Sequence, residues 1–312
     1  MKLSMKDILT LEALSPQEIA LILDTAHSLK EIGNGGTKIL PTLPGKTILN
    51  LFYEPSTRTR TSFELAGKRL GAQVINFNFS TSSMVKGETL KDTVVNLQAM
   101  GTDFIVIRHT AAGVIKNIAN SVSASVINAG DGAHEHPTQA LLDLLTIKEK
   151  QGSIEGLQVA IIGDIAHSRV ARSNIWGLTK MGARVNVAGP PTMIPPYIEK
   201  MGVKVFYSVD EAIKNVDVIM CLRIQLERQH QYLFPSLREY ARFFGITQER
   251  LRGAKRNVMI MHPGPINRGV EISPEVADGE NSFILSQVTN GVAVRMALFY
   301  LLAGGRKEDV AH

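Results

Sequence analysis

The sequence predicts an α/β protein of two doubly wound parallel-sheet domains, with its active site in the crevice between them. Three observations predict it. The chain has 312 residues, too many for one ordinary core and well suited to two domains of typical size. Short apolar runs alternate with helical patterns, pause near Gln151-Gly152-Ser153, and resume, as parallel sheets with right-handed crossovers require. The unusual polar residues gather just after those runs, and in such sheets ligands sit beyond the carboxyl ends of the strands.

The first helix opens at Ser15-Pro16-Gln17-Glu18: Ser15 can cap, Pro16 fits the first helical position and Glu18 closes a capping box. Ile19, Ile22, Ala26 and Leu29 mark its apolar face. Residues 31–46, rich in Gly, Thr and Pro, read as loop. Strands are expected at 47–52, 73–77, 103–107 and 124–128, each followed by a helical pattern, the last from Pro137 to Lys150. A second series follows near 157–162, 184–188, 203–206, 217–222 and 257–261. A final apolar helix, about Gly291 to Leu302, is placed to pack back on the first half. The expected domains are therefore 1–150, joined by 290–312, and 151–289.

Composition narrows the function. With 44% hydrophobic and 20% charged residues, this is an ordinary globular chain. Its net charge of +5 is spread along the sequence without a Lys/Arg tract or aromatic interleaving, which fits an anionic small substrate and gives no sign of a nucleic-acid surface. No apolar run approaches the roughly 20 residues that span a bilayer, and Met1 to Asp7 has no signal-peptide core. A single cysteine, Cys221, leaves neither a disulfide framework nor a Cys-based zinc site. A cytoplasmic enzyme is expected.

The densest polar cluster is Ser56-Thr57-Arg58-Thr59-Arg60, between an expected strand and the helical pattern Phe63, Ala66, Gly67, Leu70. Unpaired N–H groups and the positive end of a helix dipole suit a bound phosphate there, and arginine grips two phosphate oxygens at once. The alternative is that Ser56 or Thr57 merely caps the helix while both arginines point into solvent. Further polar groups follow the other strands: Ser80 to Glu88 with Ser82 and Lys86, Arg108-His109-Thr110, Asp131 to Gln139, Gly163 to Arg169, Arg223-Ile224-Gln225 and His262-Pro263-Gly264-Pro265. Arg58, Lys86, Arg108, Arg169 and Arg223 together would make a cationic crevice.

Other chemistries fit less well. His134-x-His136 has ligand-like spacing but no second compact pair, so no metal is expected. His136 and Gln139, at a helix start, suit hydrogen bonding to a carbonyl and an amide; capping is their alternative. Gly163 stands alone where a dinucleotide turn needs a glycine series. Arg169 is either a crevice residue or an exposed helix residue. No G-x-S-x-G elbow occurs, Lys86-Gly87-Glu88 lacks a P-loop frame, and Cys221 in an apolar strand reads as a buried structural thiol.

Ser56-Thr57-Arg58-Thr59-Arg60 and His136-Pro137-Thr138-Gln139 resemble the two signatures of the aspartate/ornithine carbamoyltransferases, and the resemblance runs through the whole chain. Lys86 before Gly87-Glu88, Arg223-x-Gln225, and Pro263 where the ornithine branch carries cysteine are similar to the aspartate branch. Gly264 stands where some of that branch carry Leu, so only backbone contacts carry over at that position. The resemblance implies transfer of a carbamoyl group from carbamoyl phosphate to L-aspartate, a step of pyrimidine biosynthesis, without cofactor, metal or covalent intermediate. It implies that Ser56, Thr57, Arg58 and Thr59 hold the phosphate, and that Thr59, Arg108 and His136 polarise the carbonyl. Gln139 with the backbone of Gly264 and Pro265 would hold the carbamoyl NH2, and Arg169, Arg223 and Gln225 would bind aspartate. Ser82 and Lys86 would come from a neighbouring subunit of a homotrimer, with Lys86 reaching aspartate. A regulatory chain or a pathway enzyme is a further possible partner. The cationic set agrees independently: it suits two carboxylates and a phosphate and repels the ammonium of ornithine.

Overall fold

The computed structural model describes residues 3–34, 39–77, 88–225 and 236–306. Ser82 and Lys86 lie outside them. The chain forms two compact units, Met1–Leu145 with Val288–His312, and Thr146–Gln287. Both crossings fall inside helices: the first within Pro137–Gln151 and the second within Ile284–Leu302.

In the first unit β1 (Thr47–Phe52), β2 (Gln73–Phe77), β3 (Phe104–His109) and β4 (Ser125–Asp131) form a parallel sheet in the order β2-β1-β3-β4. In the second, β5 (Gln158–Ile162), β6 (Arg184–Ala188), β7 (Val203–Phe206), β8 (Val218–Cys221) and β9 (Met259–Met261) form another, in the order β7-β6-β5-β8-β9. All nine expected strands are present, with ends shifted by a few residues at most. Helices cover such sheets, so the inner strands are apolar on both faces and read as continuous runs; Ile48, Leu49, Ile105, Val106, Val159 and Ile161 are buried accordingly. Each sheet starts in its middle, builds outward to one side, and then crosses to the other. The order therefore reverses between β1 and β3 and again between β5 and β8, the positions where open α/β sheets bind ligands.

The helix Pro16–Asn34 starts with the expected capping box: Glu18 N–H donates to Ser15 Oγ at 3.2 Å, and Ser15 N–H donates to Glu18 Oε2 at 3.0 Å. The helix Thr57–Arg69 lies close on its sheet because Gly67 has no side chain. A Cβ there would lie 2.6 Å from Ile48 Cδ1 and 2.7 Å from Val74 Cγ2. Phe63, on the buried face, meets Phe299 edge-on at 5.8 Å between ring centres.

The final helix, Ile284–Leu302, begins earlier than the expected Gly291. It also corrects the reading that no run is long enough to span a bilayer: by length and composition alone this one is. Its apolar stretch is 72% buried inside the protein, and it carries the buried Arg295, so it is a core helix here.

Candidate functional site

In the first unit the reversal point carries the signature cluster. Ser56 is the N-cap residue of Thr57–Arg69, in extended backbone (φ −160°, ψ 95°), yet its side chain makes no capping hydrogen bond. The capping alternative therefore fails for Ser56. Thr57, Arg58 and Thr59 are the first three helical residues, whose N–H groups have no partner within a helix; the Arg60 N–H is the first to close a turn, on the Ser56 carbonyl at 3.1 Å. The first turn contains no acidic residue, so nothing on it offsets the dipole's positive end. Thr57 and Arg58 are exposed and Thr59 is buried. A helix start with these features can accept an anion.

Arg108 lies beside that helix start, because β3 pairs with β1 in the register Phe52↔Arg108. Its Nη2 donates to Glu54 Oε1 at 2.6 Å and its Nη1 to the Ala129 carbonyl at 3.2 Å. The guanidinium is thus clamped across the ends of three strands.

His136 arrives at the same edge through a turn built on Asp131, which pairs with His109 of β3. Asp131 Oδ2 accepts from the Gly113 N–H at 2.9 Å and meets His134 Nδ1 at 3.0 Å. Its Oδ1 accepts from Asn128 Nδ2 at 2.9 Å and from the Glu135 N–H at 3.2 Å. Burial alone would raise its pKa, but His134, the Gly113 N–H and Asn128 outweigh it and hold the carboxyl below its ordinary value. His136 is buried immediately before Pro137, the first residue of the helix Pro137–Gln151. One turn on, Gln139 Nε2 donates to Asp143 Oδ1 at 3.0 Å. With its NH2 held there, Gln139 has its amide oxygen left to accept from an incoming N–H.

In the second unit the strand order reverses between β5 and β8; Arg169 follows the first of these strands and Arg223 and Gln225 follow the second. Gly163, directly after β5, has φ +134°, and a Cβ there would sit 2.9 Å from the Leu222 carbonyl oxygen. The two strand ends therefore approach closely only because this residue is glycine. Asp164 Oδ1 accepts from the His167 N–H at 3.2 Å and meets His167 Nδ1 at 2.8 Å. Ser168 Oγ then caps the helix Arg169–Lys180 by accepting from the Ala171 N–H at 3.1 Å. Arg169, first in that helix, is only 3% exposed, which removes the exposed-helix alternative. Arg223 Nη2 reaches Gln225 Oε1 at 3.5 Å. Gly264 and Pro265 follow β9, the neighbour of β8.

Glu54 and Asp143 are the supporting groups that sequence reasoning missed; Asp164 lay in the polar loop already marked after β5. Asp143 had a readable signal, since it stands one helical turn from Gln139. Glu54 had none, for it meets Arg108 across 54 positions of chain. Among the described residues no group of three or more His, Cys, Asp or Glu side chains could hold a metal ion. Cys221 is buried, and burial, with the charge of Glu271 added, pushes its thiol pKa up. That disfavours the thiolate a nucleophile needs.

Comparison with known proteins follows the same division. Residues 6–149 match the aspartate/ornithine carbamoyltransferase carbamoyl-P binding domain, and residues 155–302 match the Asp/Orn binding domain of that family. The aspartate carbamoyltransferase catalytic subunit of Moorella thermoacetica is 62% identical over 305 residues, covering 98% of this chain and 99% of the relative. That of Syntrophus aciditrophicus is 62% identical over 304 residues, covering 97% and 99%. Aspartate transcarbamoylase from Trypanosoma cruzi, solved with carbamoyl phosphate and aspartate, has a TM-score of 0.86 at 32% identity, covering 94% of this chain and 95% of that one. Ornithine carbamoyltransferase from Pyrococcus furiosus also reaches 0.86, at 31% identity, covering 98% and 99%. Backbone similarity alone thus does not separate the two acceptors; side chains must.

Proposed function

The chain belongs to the aspartate/ornithine carbamoyltransferase family, and from that premise we propose that it transfers the carbamoyl group of carbamoyl phosphate to the amine of L-aspartate. The observation that carries the reading is the helix start at Thr57: it is uncapped by Ser56, free of acid in its first turn, and beside Arg108 in sheet register. Identity of about 60% with curated aspartate enzymes favours aspartate over ornithine.

The aspartate nitrogen attacks the carbonyl carbon, the bond from that carbon to the phosphate oxygen breaks, and phosphate leaves with the electron pair. The amine proton goes to the departing phosphate. The acyl phosphate is already activated, so the protein contributes positioning and stabilisation of charge on the carbonyl oxygen. In this reading Ser56, Thr57, Arg58 and Thr59 hold phosphate, and Thr59, Arg108 and His136 hold the carbonyl oxygen. The Gln139 amide oxygen and the carbonyls of Gly264 and Pro265 accept from the carbamoyl NH2. Arg169, Arg223, Gln225 and Lys86 meet the aspartate carboxylates.

The working unit is a homotrimer whose copies lend Ser82 and Lys86 to one another. Support for assembly comes from the sheet edge: β2 is an edge strand and leaves Ile75 49% exposed, a surface that a lone domain would shield.

Carbamoyl phosphate labelled with ¹³C tests the reaction. With aspartate, the label is expected in the ureido carbon of N-carbamoyl-L-aspartate. A protein that binds carbamoyl phosphate but labels no amine is a binder, and the proposal falls.

A further inference from the structure

His262 sits just past β9, at the head of the His262-Pro263-Gly264-Pro265 loop, and it is tied on three sides. Its own N–H donates to Gln287 Oε1 at 2.9 Å. The Gly264 N–H donates to its ring Nδ1 at 2.8 Å. Its Nε2 faces Glu271 Oε1 at 3.1 Å, and both side chains are buried. The same Glu271 oxygen accepts the Asn267 N–H at 2.6 Å.

This geometry fixes the tautomer. A backbone N–H can only donate, so Nδ1 must be the bare nitrogen and Nε2 must carry the proton given to Glu271. A proton on Nδ1 would oppose the Gly264 N–H and break the tie. Gly264 also has φ +65°, in the left-handed region, so the loop turns sharply at the residue that the ring holds.

We propose that His262 is a positioning residue for the transfer reaction. Its Nδ1 tether to Gly264 aims the Gly264 and Pro265 carbonyls at the carbamoyl NH2, while Glu271 locks the ring in the tautomer that can accept. The inference rests on the reading that those two carbonyls hold the carbamoyl group.

Two substitutions divide the ring's functions. The Asn oxygen in His262→Asn stands near the Nδ1 position and keeps an acceptor for Gly264, but it loses Glu271. The Gln amide in His262→Gln reaches toward Glu271 as a donor, but it leaves Gly264 without an acceptor. Losing one such hydrogen bond is expected to lower kcat/KM for carbamoyl phosphate about 10-fold in His262→Gln, a factor equivalent to one ordinary hydrogen bond. The KM for aspartate and the melting temperature are expected to stay near those of the unmodified protein. His262→Asn is expected to restore most of the lost kcat/KM while melting lower than His262→Gln. If both variants lose activity in step with melting temperature, the role is structural only and the proposal is overturned. Native kcat/KM in His262→Gln overturns it too. Should the unmodified protein fail to carbamoylate aspartate, the functional reading fails separately. The tether is then judged by ¹⁵N NMR of the ring and by crystal structures of the two variants. An Nε2-protonated ring, with loop 263–265 displaced in His262→Gln alone, supports it; a proton on Nδ1, or an undisturbed loop in His262→Gln, refutes it.

Discussion

At Asp131 four hydrogen bonds converge on one carboxylate, and they shape the turn that delivers His136. Because the folded protein holds this carboxyl below its ordinary value of 3.8, the unfolded chain binds its proton more readily. The stabilisation is therefore fully present above that value and is lost as pH falls below it, through the lowered value of the folded protein. Urea unfolding of the Asp131→Asn variant should show lower stability at neutral pH, with the gap closing below about pH 4. A gap that stays constant down to pH 3 would mean that charge at Asp131 contributes nothing.

Arg58 is exposed at the second position of its helix, so Arg58→Ala should leave the fold and melting temperature unchanged. Turnover should nevertheless fall by about 10²–10³, the scale for removing a donor aimed at transition-state charge. Near-normal kcat would refute its role.

What the sequence conceals at this scale is distance along the chain. Ser56 to Arg60 announced themselves as a local cluster. Glu54 with Arg108, and His262 with Glu271, could not do so, since their partnerships exist only once strands are side by side.

Strands were easier to read than the last helix, and the reason is burial. A parallel strand covered on both faces shows an unbroken apolar run, as Val159 to Ile162 does. The start of Ile284–Leu302 inverts the usual pattern. Leu285 is 81% exposed, while Gln287 is only 2% exposed because its oxygen is needed by the His262 N–H. An apolar-face reading therefore finds this helix only from Gly291 onward.

Two glycines in helices separate packing from propensity. Gly67→Ala must push Ile48 and Val74 apart. Overpacking of that kind costs about 1–3 kcal/mol, which offsets or exceeds the roughly 1 kcal/mol of helix propensity gained. At Gly33, in the helix Pro16–Asn34, nothing lies within 4 Å of an added Cβ. Gly33→Ala should accordingly raise the melting temperature while Gly67→Ala lowers it. Equal shifts in the two variants would show that close packing of Thr57–Arg69 on its sheet is not limiting.

For the molecule as a whole, two parallel sheets each place their reversal point where the unusual polar residues lie: Ser56 to Arg60 with Arg108 in one, Arg169 with Arg223 and Gln225 in the other. That these residues follow strands was legible in the sequence; which of their loops become neighbours was not, because that is set by the strand order of the folded sheet. Subunit sharing has its own test. Arg58→Ala and Lys86→Ala proteins, each inactive alone, should regain activity when their subunits are mixed, through sites that draw Arg58 from one copy and Lys86 from another. No recovery in verified mixed trimers would mean that each copy works alone.

Acceptor choice remains the sharpest question, because the backbone resembles an aspartate and an ornithine enzyme equally well. Phosphate release from carbamoyl phosphate should be measured with L-aspartate and with L-ornithine on the same purified protein. Rapid release with aspartate and only background with ornithine is the expected result, since Arg169 and Arg223 attract carboxylates and repel an ammonium group. Faster release with ornithine would contradict it.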